Sequence, residues 1–378
     1  MTFTLDIPQR CIIAGGARQQ LANEAKRLVW QRPLIVTDPF HNDTGKAQEL
    51  IDILAQQNID ARVYSGVINE PTTQMVDAAI AQYNDQSCDG IIGFGGGSPL
   101  DTAKTVAVLL KNPGPIQRFM GLHKVARAGA PCIAIPTTAG TGAEATKVVV
   151  ITDALTDVKM MCLDRAFLPA VAIVDYELSI TSPPALTAAV GVDALTHAIE
   201  AYVSRKANPY TDAIALQACQ LIYNAIRTAY HTPNNTDARS AMMQGAFMAG
   251  VAFSNASVCL VHGMSRPIGA CFHVPHGLSN AMLLPAITRF SLEAAPQRYL
   301  AVAQILGLKD EQALPDALQT LNTDLNMQTP ATFGIDAKQW QQRIAKMAQD
   351  ALASGSPANN PRVATAAQIT ELYQHVYS

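Results

Sequence analysis

The chain has 378 residues, 49% hydrophobic and 15% charged, with a formal net charge of -3. That length suits about two domains with large buried cores, and the composition excludes a disordered chain. No Lys/Arg run is longer than a pair, so nothing points to nucleic acid or an anionic membrane as partner.

The opening "MTFTLDIPQR" carries no apolar core segment and is not read as a signal peptide. From there to about residue 182, β-rich runs ("PLIVTD", "DARVYSG", "DGIIGFGG", "PCIAIPTT", "AVAIVDYE") follow one another. Amphipathic helical stretches ("TGKAQELIDILAQQNI", "PTTQMVDAAIAQYND") separate the earlier ones. Continuous apolar strands alternating with helices predict a Rossmann-like parallel sheet covered on both faces. A hairpin, "TKVVVITD" and "DVKMMCLD" joined by "ALT", interrupts the pattern.

Asp38 closes "PLIVTD". A carboxylate there accepts hydrogen bonds from a free ribose 2′-hydroxyl and repels a 2′-phosphate, which favours NAD over NADP. The plainer reading is that Asp38 only shapes a turn with Pro39. In "GIIGFGGGSPLDTAK" a strand runs into Gly95, Gly96, Gly97 and Ser98. Ser98 is expected to cap a helix and Pro99 to occupy its first position. Consecutive glycines let backbone N–H groups approach a diphosphate at a helix N-terminus. A tight strand-to-helix turn with no ligand is the alternative. The loop lacks the third glycine of the usual dinucleotide fingerprint, and Asp38 precedes it. In "IPTTAGTGAEAT", Thr137, Thr138 and Thr141 offer hydroxyls to ribose or phosphate.

The grammar changes after Ser182. Pro183 and Pro184 suit a helix start, and helix follows helix with no strand. Examples are "NPYTDAIALQACQLIYNAIRTAY", "SNAMLLPAITRFS", in which Pro285 marks a kink or an end, and "DAKQWQQRIAKMAQDALA". This divides the chain into an α/β nucleotide-binding domain (1–182) and an all-helical domain (183–378). Residues 240–265 carry no formal charge. Gln244, Ser254, Asn255, Ser257 and His262 interrupt them, so the segment reads as a buried helix broken near Asn255 rather than a membrane span. Seven scattered cysteines without a CxxC pair predict no disulfide framework and a reducing cytoplasm.

"GVDALTHAIEAYVS" places Asp193, His197 and Glu200 on one side of a mostly apolar helix. A carboxylate and an imidazole one turn apart make half of a metal site. His262 and His276, in "VHGMSRPIGACFHVPHG", can supply the other half. His273 competes, and spacing does not exclude it. One Asp with three His suits Fe(II), Zn(II) or Co(II) better than Mg or Ca. Glu200 reads as a residue that orients a ligand.

Together, "GGGSPLDTAK", "PTTAGTGAEAT", "GVDALTHAIEAY", "HGMSRPIGA", "VPHGLSNA" and "NPR" resemble the iron-dependent (group III) alcohol dehydrogenases across nearly the whole chain. Within that family the chain looks like the lactaldehyde reductases and 1,3-propanediol dehydrogenases. The resemblance implies a dehydroquinate synthase-like fold, with an α/β nucleotide domain, a helical metal domain and an active site in the cleft. It implies the metal ligands Asp193, His197, His262 and His276, with Fe2+ or another divalent ion such as Zn2+. His273 then falls back to the pocket. The implied NAD(H) contacts are Asp38, Gly95, Gly96, Gly97, Ser98, Asp101, Thr137, Thr138, Lys159 and Leu178. It further implies hydride transfer between a small primary alcohol and its aldehyde, in a homo-oligomer, dimeric or larger.

Two departures stand out. Arg266 in "HGMSRPIGA" replaces a histidine of many members; arginine stays protonated and cannot act as a base. It can grip a carboxylate or sulfonate on the substrate, or pair with a protein carboxylate or the cofactor phosphates. The proton then falls to water, a ribose hydroxyl or His273. Glu70, in "INEPTT", stands where relatives often have asparagine beside the cofactor. Alternative readings are a zinc polyol enzyme like glycerol dehydrogenase, a metal- and NAD-dependent lyase like dehydroquinate synthase, and a non-catalytic nucleotide-binding scaffold.

Overall fold

The apolar runs of the first part of the chain form nine strands, in a computed structural model that describes residues 2–378. They are β1 (Arg10–Ile13), β2 (Pro33–Val36), β3 (Arg62–Tyr64), β4 (Gly90–Gly95), β5 (Gly121–Leu122), β6 (Cys132–Pro136), β7 (Val148–Asp153), β8 (Val158–Leu163) and β9 (Val171–Val174). Six build one sheet in the order β1-β9-β6-β4-β2-β3, and every pairing in it is parallel. Its central strands are apolar on both faces because both are covered. Leu34, Val36 and Ile91 pack into one cluster, while Ile35, Ile92 and Phe94 pack into another. The expected hairpin is β7 and β8, paired antiparallel, with β5 added alongside β8. Its connection is one residue longer than "ALT", because Asp157 turns the chain back in the left-handed region (φ 57°).

The chain divides into two compact units, Leu5–Ser179 and Ile180–Ser378, the latter joined by residues 2–4. Among the described residues the second unit has no strand. The Pro184–Val203 helix opens with proline in its first turn and is buried around most of its circumference. Asn208 and Thr211 form a capping box that starts the Pro209–His231 helix, and Asp336 caps Ala337–Ala353. The uncharged stretch folds as two helices, Thr236–Ala256 and Leu260–Phe272, bent by 103° at the break between them. No single helix is long and apolar enough to cross a membrane.

Pro285 does not end its helix, which continues past it from His276 to Ser291. A proline there leaves the carbonyl four residues back, Ala281, without its helical donor. Asn322 supplies the missing hydrogen bond, its side-chain amide donating to the Ala281 oxygen at 2.7 Å. Local propensity alone cannot reveal a partner that far along the chain.

Candidate active site

In the α/β unit, the path from β2 to β3 leads to one edge of the sheet, while β4, β6 and β9 progress toward the other. The reversal falls between β2 and β4, and open α/β sheets bind ligands at the carboxyl ends of the strands flanking such a point. A cavity of about 370 Å³ lies there, lined by Asp38, Phe40, Val67, Asn69, Gly96 and Ser98 among others. Gly95 adopts φ 142°, and a Cβ there would sit 2.7 Å from the Pro99 ring and 3.2 Å from Asp38 Oδ2, so only glycine fits.

The following helix starts at Gly97, one residue before the expected cap. Gly96 is the residue at the boundary, and no side chain caps it. Ser98 therefore lies inside the first turn, and Pro99 sits third rather than first. The first-turn N–H groups that a capping side chain would take are left for a ligand.

The remaining nucleotide-site candidates fall into two sets. Thr137 donates its N–H to the Gly95 carbonyl at 3.0 Å, and a Cβ at Gly96 would lie 3.8 Å from Thr138, so both threonines border the glycine loop. Asp101 instead accepts from the Val150 N–H at 2.9 Å and from Lys104 Nζ at 3.4 Å, which ties its helix to β7. Leu178 is buried in the core with Ile35 and Phe94. Lys159 reaches Glu70 at 2.6 Å across half-exposed surface.

Asp38 caps the Pro39–Asp43 turn by accepting from the His41 N–H at 2.9 Å. His41 Nδ1 also lies 2.8 Å from each carboxylate oxygen. Burial raises the Asp38 carboxyl, but the His41 ring and N–H outweigh it and hold the group below the usual carboxylate range.

In the helical unit, Asp193 and His197 come from the Pro184–Val203 helix, His262 from Leu260–Phe272 and His276 from the first position of His276–Ser291. Asp193 Oδ1 lies 3.4 Å from His262 Nε2 and 3.8 Å from both His276 Nε2 and His197 Nε2. Ligand atoms of Asp193, His262 and His276 lie within 4.8 Å of one another. His197 stacks between Phe253 and His262, with centroids at 4.1 and 4.4 Å.

Glu200 works from behind. It accepts His262 Nδ1 at 2.7 Å and the N–H groups of Cys259 and Val261, at the break between the two bent helices. That contact keeps a hydrogen on Nδ1 and turns Nε2 toward Asp193, as the nitrogen available to a metal. Burial raises the Asp193 carboxyl, but the three imidazoles outweigh it and hold the group well below the usual range. Burial pulls the His197 imidazole down to about 3.

The donor chemistry fits a cation. One carboxylate oxygen and two imidazole nitrogens, of Asp193, His262 and His276, converge, and His197 stands outside that trio with its Nε2 3.8 Å from Asp193 Oδ1. A single amide, Asn280 Nδ2, stands 2.6 Å from Asp193 Oδ1, 3.2 Å from His262 Nε2 and 3.3 Å from His276 Nε2, so its two hydrogens cannot serve all three atoms. His197 Nδ1 and Asn280 Oδ1 are buried without a partner. Asn280 has a sequence signal, since it lies four residues after His276 on the same helix face.

His273 ends the Leu260–Phe272 helix in the left-handed conformation (φ 55°), is exposed, and is not among the converging groups. Arg266 lies one turn beyond His262 and is half-buried. Its Nη1 donates to Ser356 Oγ at 3.1 Å, and it pairs with no carboxylate among the described residues. Burial lowers its guanidinium, with Glu200 pulling the other way. Ser356 is 90 residues away, and no spacing rule announces it.

Residues 8–176 match the family described as iron-containing alcohol dehydrogenase, and residues 187–377 match its C-terminal part. Lactaldehyde reductase from Escherichia coli (strain K12) is 36% identical over 368 residues, covering 95% of each chain. A solved structure of a 1,3-propanediol oxidoreductase superposes with a TM-score of 0.96 at 31% identity, covering 100% of both chains. Sulfoacetaldehyde reductase from Bifidobacterium kashiwanohense, solved with NAD+, gives 0.91 at 28% identity, covering 100% of this chain and 99% of that one. The parallel sheet, the all-helical second unit and the end-to-end matches therefore agree, and the chain belongs to the iron-containing alcohol dehydrogenase family.

Proposed function

We propose that this family member is an NAD(H)-linked, Fe2+-dependent aldehyde reductase and alcohol dehydrogenase that prefers small aldehydes with an anionic end. Residues 1–182 hold the dinucleotide and 183–378 the metal. The observation that carries the reading is the convergence of Asp193, His262 and His276, with His197 Nε2 3.8 Å from Asp193 and unpaired buried polar atoms beside them. When bound, a divalent ion supplies a Lewis acid for a carbonyl oxygen.

The chain's own residues do the rest. Asp193 and the three histidines hold the ion, and Glu200 fixes the His262 tautomer. Gly95, Gly96, Gly97 and Ser98 present backbone N–H groups to the diphosphate, while Thr137 and Thr138 flank it. Asp38 accepts the ribose hydroxyls and disfavours a 2′-phosphate. Lys159 serves the nicotinamide ribose from β8. Asp101 and Leu178 act from behind, by fixing the helix and strand that carry the loop. Arg266, desolvated and without a carboxylate partner, offers its free N–H groups to a carboxylate or sulfonate. The free thiols support a reducing cytoplasm as the place of work.

The test is NADH consumption by protein loaded anaerobically with Fe2+, comparing propionaldehyde, succinic semialdehyde and sulfoacetaldehyde. Faster turnover of an anionic aldehyde supports the full reading. Preference for propionaldehyde removes the anion preference and keeps the reaction. No consumption of any of them, with metal content verified, removes the reaction assignment.

A further inference from the structure

The charged side chain among those lining the nucleotide cavity, Asp38, does not act alone. Its carboxylate has roughly four lone-pair positions. His41 takes those on one side through its backbone N–H and its ring Nδ1. A carboxylate accepts only, so Nδ1 must carry the hydrogen. The terminal torsion of aspartate is otherwise broad, and two donors from one residue pin it.

His41 is itself immobilised. Its side chain is 8% exposed, and its ring meets Phe94 and Phe40 edge-on with centroids at 5.0 and 5.3 Å. Phe94 lies in β4 at the sheet core. A rigid path thus runs from the core, through an imidazole, to the carboxylate that faces the cavity. Lys46 is the other charge felt by Asp38, and it is common to every variant below.

We propose that His41 is a positioning residue for cofactor choice: it fixes the Asp38 carboxylate so that an unphosphorylated ribose is accepted and a 2′-phosphate refused. The inference rests on the reading of Asp38 as the ribose-facing residue. Packing against Phe40 and Phe94 needs only a ring of that size, whereas the hydrogen bonds from N–H and Nδ1 to that carboxylate account for a histidine three residues after it.

The experiment uses the full-length metal-loaded enzyme and one aldehyde, with KM and kcat measured for NADH and NADPH. NADH affinity is also measured by fluorescence titration without aldehyde. Four variants are compared with the parent: Asp38→Asn, His41→Leu, His41→Asn and His41→Gln. The asparagine amide can stand where Nδ1–H stands; leucine fills the space without a donor, and the glutamine amide lies one bond further out.

Loss of a charge-assisted hydrogen bond should weaken NADH about tenfold in KM and Kd for His41→Leu. Its NADH-over-NADPH preference should narrow, with kcat at saturation moving much less. His41→Asn should stay within about threefold of the parent on that scale. If His41→Leu does not fold, His41→Gln takes its place with the same expectation. Parent-like Kd and preference in the donor-less variant, with a changed Asp38→Asn, would overturn the role of His41 alone. An unchanged Asp38→Asn would overturn the ribose reading and this proposal together.

Discussion

Arg266 follows His262 by one helical turn, and its guanidinium has a hydroxyl partner and no acidic one. Removing it should therefore cost substrates according to their charge. For Arg266→Ala we expect kcat/KM on succinic semialdehyde or sulfoacetaldehyde to fall about 10- to 100-fold, the worth of a hydrogen bond to a charged group. On propionaldehyde it should stay within about threefold, and equal losses on all three would make Arg266 a packing residue. Glu144 carries a different kind of test. It is buried, and its Oε2 has no hydrogen-bond partner. Burial pushes its carboxyl up to about 7 from an ordinary 4.5, against its own backbone N–H and Lys104. The folded form thus holds a proton that the unfolded form releases, and stability is lost as pH rises through that window. Glu144→Gln should raise the Tm more at pH 8 than at pH 5, with a ceiling of about 3 kcal/mol on the difference. Thermal melts at the two pH values decide it, and equal shifts would contradict it.

Helix placement determines whether the metal donors meet. Asp193 and His197 were legible as a pair because the helical period puts them on one face. Their meeting with His262 depends on Glu200 holding the N–H groups at the helix break, a contact across 59 residues for Cys259 that no local pattern reports. The choice between His276 and His273 was open by spacing and is separated in space, since His276 starts a helix packed on Asp193 while His273 finishes another. Ser98 is not the cap it was read as, and of the two readings of Pro285, a kink or an end, the end fails. At Ser98, glycine backbone set the boundary two residues early; at Pro285, Asn322 takes the place of the lost helical donor. Gly277 gives the element-scale test. A Cβ there would lie 2.1 Å from the Ala189 carbonyl oxygen and 3.3 Å from Asp193 Cβ. Gly277→Ala should lever the His276 end of its helix away from the Pro184–Val203 helix. We expect metal affinity, read by chelator competition, to drop at least about tenfold while far-UV circular dichroism keeps its helical signature. Parent-like affinity would mean that the two helices tolerate the extra methyl.

The whole chain assigns its two candidate sites to different units. Every proposed nucleotide contact lies between Asp38 and Leu178, and every proposed metal donor between Asp193 and His276. The parallel sheet was readable from strand composition, and the helical half from the loss of strands after Ser182. The cavity at the sheet reversal was not, because strand order depends on which strands become neighbours. Stripping the metal with a chelator should leave the Kd for NADH, measured by fluorescence, within about threefold, since no residue is proposed for both sites. A tenfold weakening would show that the two sites communicate. The segregation also bears on how such a chain changes over generations. On the proposed assignment, the residues that choose the cofactor and those that hold the metal are encoded in separate stretches of the gene, so a mutation that retunes one trait leaves the codons of the other untouched.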